Sequence, residues 1–349
     1  MTWLRKLLFP IAVLYGLITS IRNYLYDKGI LKSHAFDVPI IAVGNLSVGG
    51  TGKTPQIESL IRLLSPHYKI ATLSRGYKRK SKGFILADAH SNAEQLGDEP
   101  YQYFKKFPQI QVAVDADRRN GITQLLNQKD TRGKAELSGA KPEVILLDDA
   151  YQHRKVKAGF YILLTAYDDL FCDDWMLPTG NLRESRSGAE RADMIIVTKC
   201  PHAISEIAQE KIRQKIGLNK PIFFSFIDYD DQVYSATDSL SVSEIKNKAK
   251  ILLAGIAKPK PFFDFLKAEN DVVISYPDHH HFSNAEIEAL KSQAGEKIIV
   301  TTEKDFVRLE AEILRKQLYY LPIKSRLVSN ATAFDQIILD YVGIGTGNR

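Results

Sequence analysis

The chain has 349 residues, 44% hydrophobic and 25% charged, with a net charge of +6. That length supports a large core and about two domains, and the composition is that of an ordinary folded chain. Two cysteines, Cys172 and Cys200, form no CxxC pair and no spaced framework. This excludes a disulfide scaffold and suits a reducing compartment. The mild basic excess fits nucleic acid, an anionic membrane surface or a phosphorylated substrate without choosing among them.

The N-terminal stretch MTWLRKLLFPIAVLYGLITSIRNYLYDKG has an apolar core from Leu7 to Ile18, with Arg5 and Lys6 before it and Arg22 after it. It is shorter than the ~20 residues that span a bilayer, and Pro10 and Gly16 interrupt it. No small-x-small cleavage site follows. Residues 1–28 are therefore expected to form an amphipathic helix at a membrane surface. Trp3, Phe9, Tyr15, Tyr24 and Tyr26 would lie near the interface, with the basic residues toward headgroups. The competing reading is a helix packed on its own domain.

Short, nearly continuous apolar runs then follow at 38–45, 69–74, 111–116, 143–149, 160–166 and 193–199, as buried parallel strands require. Helical stretches at 53–65, 97–107, 118–127 and 202–215 alternate with them. Residues 126–143 are polar, rich in Lys and Gly, and read as a mobile loop. Residues 223–248 read as a connector, two-stranded in part. Runs at 250–256, 271–276, 296–302 and 318–323 suggest a second unit. The expected fold is α/β: a P-loop NTPase-like, mostly parallel sheet with helices on both faces (29–222), a smaller α/β domain (249–330), and a C-terminal helix and tail (331–349).

The first strand runs into AVGNLSVGGTGKTP (42–55), and the loop runs into a helix. Ser47, Val48, Gly49, Gly50, Thr51 and Gly52 would wrap phosphate oxygens with backbone N–H groups. The helix N-terminus faces the anion. Lys53 would reach the β/γ-phosphates of ATP, and the Thr54 hydroxyl would bind Mg2+. Ser47 stands where the usual pattern has Gly, at a position that mainly needs a small residue. Downstream, VILLDD ends a strand in Asp148 and Asp149, one expected to hold Mg2+ directly or through water and the other to position it. A GTPase is disfavoured. Tyr151 stands where a switch DxxG needs Gly, and no NKxD occurs, TTEKD (301–305) being only a distant echo. A partition-type ATPase would usually carry a second lysine near Ser47 or Val48, and there is none.

These blocks resemble the tetraacyldisaccharide 4'-kinases, the lipid A 4'-kinases of Gram-negative bacteria. VGNLSVGGTGKTP looks like the family's phosphate loop, and LSRGYKRK (73–80) is similar to its SRGY block. LGDEP (96–100) resembles GDEP, and LLDDAYQHR resembles DDGxQH with Ala150 in place of Gly. LPTGNLRE (177–184), AGIAKPKPFFDFL (254–266) and YPDHHHF (276–282) are similar to the LPxGxLRE, AGIxxPxxF and DH blocks. Any one block is weak, but their number and order are specific.

The resemblance implies transfer of the ATP γ-phosphate to the 4'-hydroxyl of a tetraacyldisaccharide 1-phosphate, giving lipid IVA. The enzyme would be peripheral, at the cytoplasmic face of the inner membrane. It makes Asp98 the catalytic base, supported by a histidine that maps most directly to His279 rather than His280 or His281. By themselves Asp98 and Glu99 read equally as charges at a helix start, and the triple histidine as a metal site. Arg183 would neutralise transition-state charge. Arg118 is a fainter candidate of that kind, against a surface helix residue. The basic run Arg75, Lys78, Arg79, Lys80 and Lys82 would meet headgroups or the substrate's phosphate, against a solvated loop. Nucleic acid is not an expected partner. The oligomeric state stays open, a monomer being compatible with all of this. The alternative function is a nucleotide-switched peripheral ATPase without kinase activity.

Overall fold

The computed structural model describes residues 3–128, 141–310, 313 and 316–346. Most of the loop expected at 126–143 lies outside the described residues, as do residues 347–349 of the expected tail. The strands are β1 (Ile40–Asn45), β2 (Ile70–Ser74), β3 (Ile85–Leu86), β4 (Gln111–Val114), β5 (Val144–Asp148), β6 (Phe160–Ala166), β7 (Met194–Thr198) and β8 (Ile222–Tyr229). They continue as β9 (Gln232–Tyr234), β10 (Ser239–Ser241), β11 (Ile251–Ala254), β12 (Val272–Ser275), β13 (Ile299–Thr302), β14 (Leu318–Leu321) and β15 (Ile323–Leu327).

The large sheet has the order β15-β8-β7-β6-β1-β5-β2-β4-β3. It is parallel from β8 to β4, with antiparallel β15 and β3 at its edges. Strands β1, β2, β5 and β7 are buried along their whole length. That explains their unbroken apolar runs: helices cover both faces. On one face the helices Lys53–Leu64, Asp98–Lys106 and Ala331–Thr346 pack Ile57, Leu60, Tyr103, Phe334 and Ile338 against Ile41 and Val43. On the other, Arg118–Leu126 and Glu206–Ile216 bring Ile122, Leu125 and Ile212 to the sheet.

The smaller sheet has the order β10-β9-β14-β13-β11-β12, with helix Lys260–Leu266 on one face and Asn284–Ala294 and Glu303–Leu309 on the other. The segment expected as a connector, 223–248, is divided between the sheets. Its first part is β8 of the large sheet, and β9 and β10 belong to the smaller one. The chain returns through β15, which pairs antiparallel with residues 225–229 of β8. The two crossings therefore lie side by side, and Asp230 N donates to Pro322 O at 3.0 Å.

The N-terminal helix Phe9–Asp27 follows a short turn of helix at Trp3–Lys6. Its polar side faces the protein. Tyr15 Oη donates to Arg183 O (2.9 Å), Arg22 to Gln152 O (2.7 Å) and Asn23 to Glu184 (2.7 Å). Arg5 binds Pro178 O (3.0 Å) and Gly180 O. Its apolar side, with Ile11, Val13, Leu14, Leu17, Ile18 and Ile21, is exposed. Arg5 is thus turned toward the protein, correcting the expectation that it faces headgroups, while Arg22 stays exposed and reaches Gln152 O. Among the described residues no helix is long and apolar enough to cross a membrane.

Candidate active site

The phosphate loop lies between β1 and helix Lys53–Leu64. Gly49 and Gly52 have φ of 117° and 82°, the left-handed region that side chains resist, so the loop needs glycine there. A second segment fixes the loop from outside. Val48 N donates to Asn181 O (2.8 Å), and Arg183 N donates to Leu46 O (2.7 Å), so LPTGNLRE runs antiparallel to it at Ser47 and Leu182. At the end of β7, Thr198 Oγ1 donates to Thr51 O (2.8 Å). Lys199, itself at φ 58°, donates to Gly50 O (2.5 Å).

Lys53, the first residue of its helix, lies 3.3 Å from Asn45 Oδ1 and 3.6 Å from Asp149 Oδ1. Arg183 Nη1 binds both oxygens of Asp149, at 3.1 and 3.2 Å. Burial pushes the Asp149 carboxyl up, but Lys53 and Arg183 outweigh it and hold it below its ordinary value. Asp148 is different. It is buried against Ser74 Oγ (3.3 Å) and Tyr103 Oη (3.4 Å), which donate to Oδ2, and its Oδ1 has no hydrogen-bond partner among the described residues. Burial, reinforced by Asp149, pushes it up to about 6. Arg118 is not a surface residue. It is 2% exposed and donates to Asp115 O (2.9 Å) and Asp148 O (3.1 Å), bracing the end of β5.

A buried, orphaned carboxylate oxygen beside Asp149 suits a divalent cation. Among the described residues no group of three or more His, Cys, Asp or Glu is placed to cage one. Mg2+ keeps water and phosphate ligands and takes few from protein, so it does not need such a cage. Asp148 and Asp149 could hold such a cation, with Thr54, expected from the sequence to join them, in the first turn of helix Lys53–Leu64.

Asp98 opens helix Asp98–Lys106, directly after Gly97 at φ 92°. The same helix carries Tyr103 to Asp148, so one rigid element joins the two carboxylates. Asp98 Oδ2 accepts from His279 Nδ1 at 3.1 Å and from Arg308 Nη2. His279 follows β12 and Arg308 lies on helix Glu303–Leu309, both beside the smaller sheet. Burial alone pushes the Asp98 carboxyl up, but the hydrogen bonds from His279 and Arg308, with the Arg308 charge, carry it well below the usual carboxylate range. His280 instead binds Glu286 (3.0 Å) and stacks on Tyr276, and His281 is exposed. Only His279 of the three reaches Asp98. Most of the basic run at 75–82 is exposed, Arg79 being half-buried and bound to Gly83 O (2.6 Å).

The model of the tetraacyldisaccharide-1-P 4'-kinase family matches residues 4–343. The chain belongs to that family. It is 64% identical over 344 residues to a tetraacyldisaccharide 4'-kinase of Flavobacterium johnsoniae, with 98% of each chain covered. It is 63% identical over 352 residues to one of Flavobacterium psychrophilum, covering all of both. Its fold is similar to a crystal structure of the "apo" form of LpxK from Aquifex aeolicus in complex with ATP, with a TM-score of 0.79 at 31% identity, covering 97% of this chain and 99% of that one. Membership makes the chain an ATP-dependent kinase and sets aside the reading as an ATPase switch without kinase activity.

Three parts of the site were not read from the sequence. Glu184 is a buried hub, 3% exposed, joining Arg191 (2.8 Å), Gln152 (2.9 Å) and Asn23. Lys199 bridges to the phosphate loop. Lys304 and Arg308, from the helix that begins within TTEKD, surround His279. The i, i+4 spacing of Lys304 and Arg308 is the signal that could have found the last pair, since it puts both cations on one helix face.

Proposed function

We propose that the chain transfers the γ-phosphate of ATP to the 4'-hydroxyl of a tetraacyldisaccharide 1-phosphate, with Asp98 as proton acceptor. The observation that supports this most is the contact of Asp98 with His279, which brings 181 residues of separation to 3.1 Å between the two domains, on the helix that also touches Asp148. Backbone N–H groups of residues 47–52 and the Lys53 ammonium would hold the phosphates. Mg2+, held by Thr54, Asp148 and Asp149, would supply positive charge to the β- and γ-oxygens. As the acceptor oxygen bonds phosphorus, the bond from phosphorus to the bridging oxygen breaks and its electrons leave with ADP. The hydroxyl proton passes to Asp98 and then to water. A carboxylate held so far below its ordinary range is a weak base. It accepts late, when the forming bond has already made the proton acidic, which suits a loose phosphoryl transition state. Arg183 lies between Asp149 and the phosphate loop, where its charge offsets that of the transferring group.

The same reading takes residues 1–28 as a helix that lays its exposed apolar side on an anionic membrane, at the cytoplasmic face of the inner membrane. It also divides the chain into a kinase unit and a smaller unit hinged at Asp230 and Pro322, closing over ATP to complete the site. The test is incubation of the purified chain with labelled ATP, Mg2+ and a tetraacyldisaccharide 1-phosphate in detergent. A new labelled lipid is expected. ATP loss at the same rate with and without the acceptor, and no labelled lipid, would overturn the reading.

A further inference from the structure

The segment TTEKDFVRL (301–309) lies outside the phosphate loop, and its side chains surround the Asp98–His279 pair. Thr302 caps the helix Glu303–Leu309, accepting from Asp305 N at 3.2 Å. The capped helix turns Lys304 and Arg308 toward the helix that begins at Asp98. Lys304 Nζ lies 2.9 Å from His279 Nε2, 3.1 Å from Asp278 and 3.3 Å from Glu99. Arg308 spreads its fork over two carboxylates, with Nη2 on Asp98 Oδ2 and Nη1 on Asp305 Oδ1 at 3.3 Å. Its Nη1 also donates to His280 O (3.4 Å). Tyr77 closes the remaining side, edge-on to the His279 ring at 5.2 Å.

The chemistry of these donors decides the state of the histidine. An ammonium has hydrogens to give and no lone pair, so His279 Nε2 is the acceptor. A neutral ring then carries its hydrogen on Nδ1, which donates to Asp98 Oδ2. Were the tautomer reversed, a ring lone pair would face the carboxylate across 3.1 Å, and Lys304 would face an N–H. Arg308 Nη2 and His279 Nδ1, themselves 3.1 Å apart, converge as two donors on the same oxygen.

We propose that Lys304 and Arg308 are positioning residues for the transfer. Arg308 holds Asp98 as a carboxylate through Oδ2, and Lys304 fixes the His279 tautomer that donates to that same oxygen. The other oxygen, Oδ1, is then left to meet the acceptor hydroxyl. This rests on the reading of Asp98 as proton acceptor given above. It explains why two cations of the smaller domain are spent on a carboxylate that binds no nucleotide. It also makes the base dependent on contact between the domains.

The experiment measures kcat against pH for the full chain and for Arg308→Gln, Arg308→Lys, Lys304→Met and Asp98→Asn, with ATP affinity as the check on folding. In the parent, with Asp98 held well below the usual carboxylate range, the acidic limb is expected below the accessible range. Without Arg308, burial of Asp98 is opposed only by the His279 hydrogen bond and the Lys304 charge. The base is then protonated at higher pH, and an acidic limb is expected to rise into the accessible range, where the parent shows none. Arg308→Lys keeps the charge, and its limb is expected to move by less than about one unit. Ring nitrogen shifts of His279 in 15N spectra are expected to report a hydrogen on Nδ1 in the parent and a mixture of tautomers in Lys304→Met. A purely structural role would lower kcat without moving the limb or the ring shifts. An Arg308→Gln profile that superimposes on the parent's, or unchanged His279 shifts in Lys304→Met, would overturn the inference. If Arg308→Gln does not bind ATP, the His279 shifts decide. Parent-like turnover by Asp98→Asn would instead sink the reading of Asp98 as base.

Discussion

Asp148 and Asp98 are two aspartates at the ends of secondary structure, joined by one helix, and their surroundings push them in opposite directions. Asp148 is buried at the end of β5 with an oxygen unpaired, and its carboxyl is pushed up to about 6. Asp98 is held by His279 and Arg308 and lies well below the ordinary range. The contrast separates the charges the chain supplies from those that must arrive. Around Asp98 the counter-charge is built into the chain, beside the smaller sheet. Around Asp148 it is incomplete, which is what a site for a cation that comes with nucleotide requires.

The largest effect that would sharpen this contrast is at Asp98. Asp98→Ala is expected to lower kcat by about 10²–10⁴ with little change in ATP affinity. His279→Ala is expected to lower it as well. The double variant is expected to be only slightly worse than the worse single one, because groups acting as a unit are not additive. Fully multiplicative losses would break the pairing. Large losses at His280 or His281 with a silent His279 would move the role along the run.

Next comes the phosphate loop. Lys53→Ala is expected to cost about 10²–10³ or more in kcat/KM while the fold persists. Lys53 touches Asp149 and Asn45 but lies outside the hydrophobic core, so a folded, inactive protein is the outcome to look for by circular dichroism. Parent-like turnover would place the nucleotide elsewhere.

Asp148 offers a test in which stability and activity part. Its folded value lies above that of an unfolded aspartate, so its contribution to stability is full below about 4 and is lost as pH rises through about 6. Asp148→Asn removes that cost and is expected to stabilise the nucleotide-free protein by about 2–3 kcal/mol at pH 7.5, several degrees in Tm, while lowering kcat. The gain is expected to shrink toward pH 5. A variant no more stable than the parent would show that Asp148 is already neutralised by the chain itself.

Much of this was legible in the sequence because it is contiguous. Strands buried on both faces give unbroken apolar runs, and β1, the loop and Lys53–Leu64 read in one pass. The antiparallel edge strand β15, IKSRL, was missed because none of its residues is fully buried, and its polar side chains look like a loop. Asp98 and His279 were linked only through a family resemblance, since local pattern says nothing about contacts 181 residues apart. Lys304 and Arg308 were passed over because two cations one helical turn apart ordinarily mark a solvated face.

The N-terminal helix holds the other lesson, and the smallest expected effect. Apolar patterning showed that one side of Phe9–Asp27 differs from the other, but not which side the protein covers. Here the polar side packs inward, through Tyr15 and Asn23, with Arg22 at its exposed border. Removing residues 1–25 would therefore strip partners from Arg183 O and from Glu184 and confuse membrane binding with damage to the phosphate loop's brace. Substitutions on the exposed side separate the two. Leu14 and Leu17 are 58% and 55% exposed, so Leu14→Glu or Leu17→Glu loses little packing. Each removes one apolar side chain from lipid, roughly 1.5–3 kcal/mol when fully buried. Each is therefore expected to raise the KM for lipid in anionic vesicles about tenfold, with KM for ATP and Tm unchanged. If lipid KM stays at the parent value in both variants, the exposed side does not meet the membrane. The helix would then be a polar clamp on residues 178–184 and nothing more.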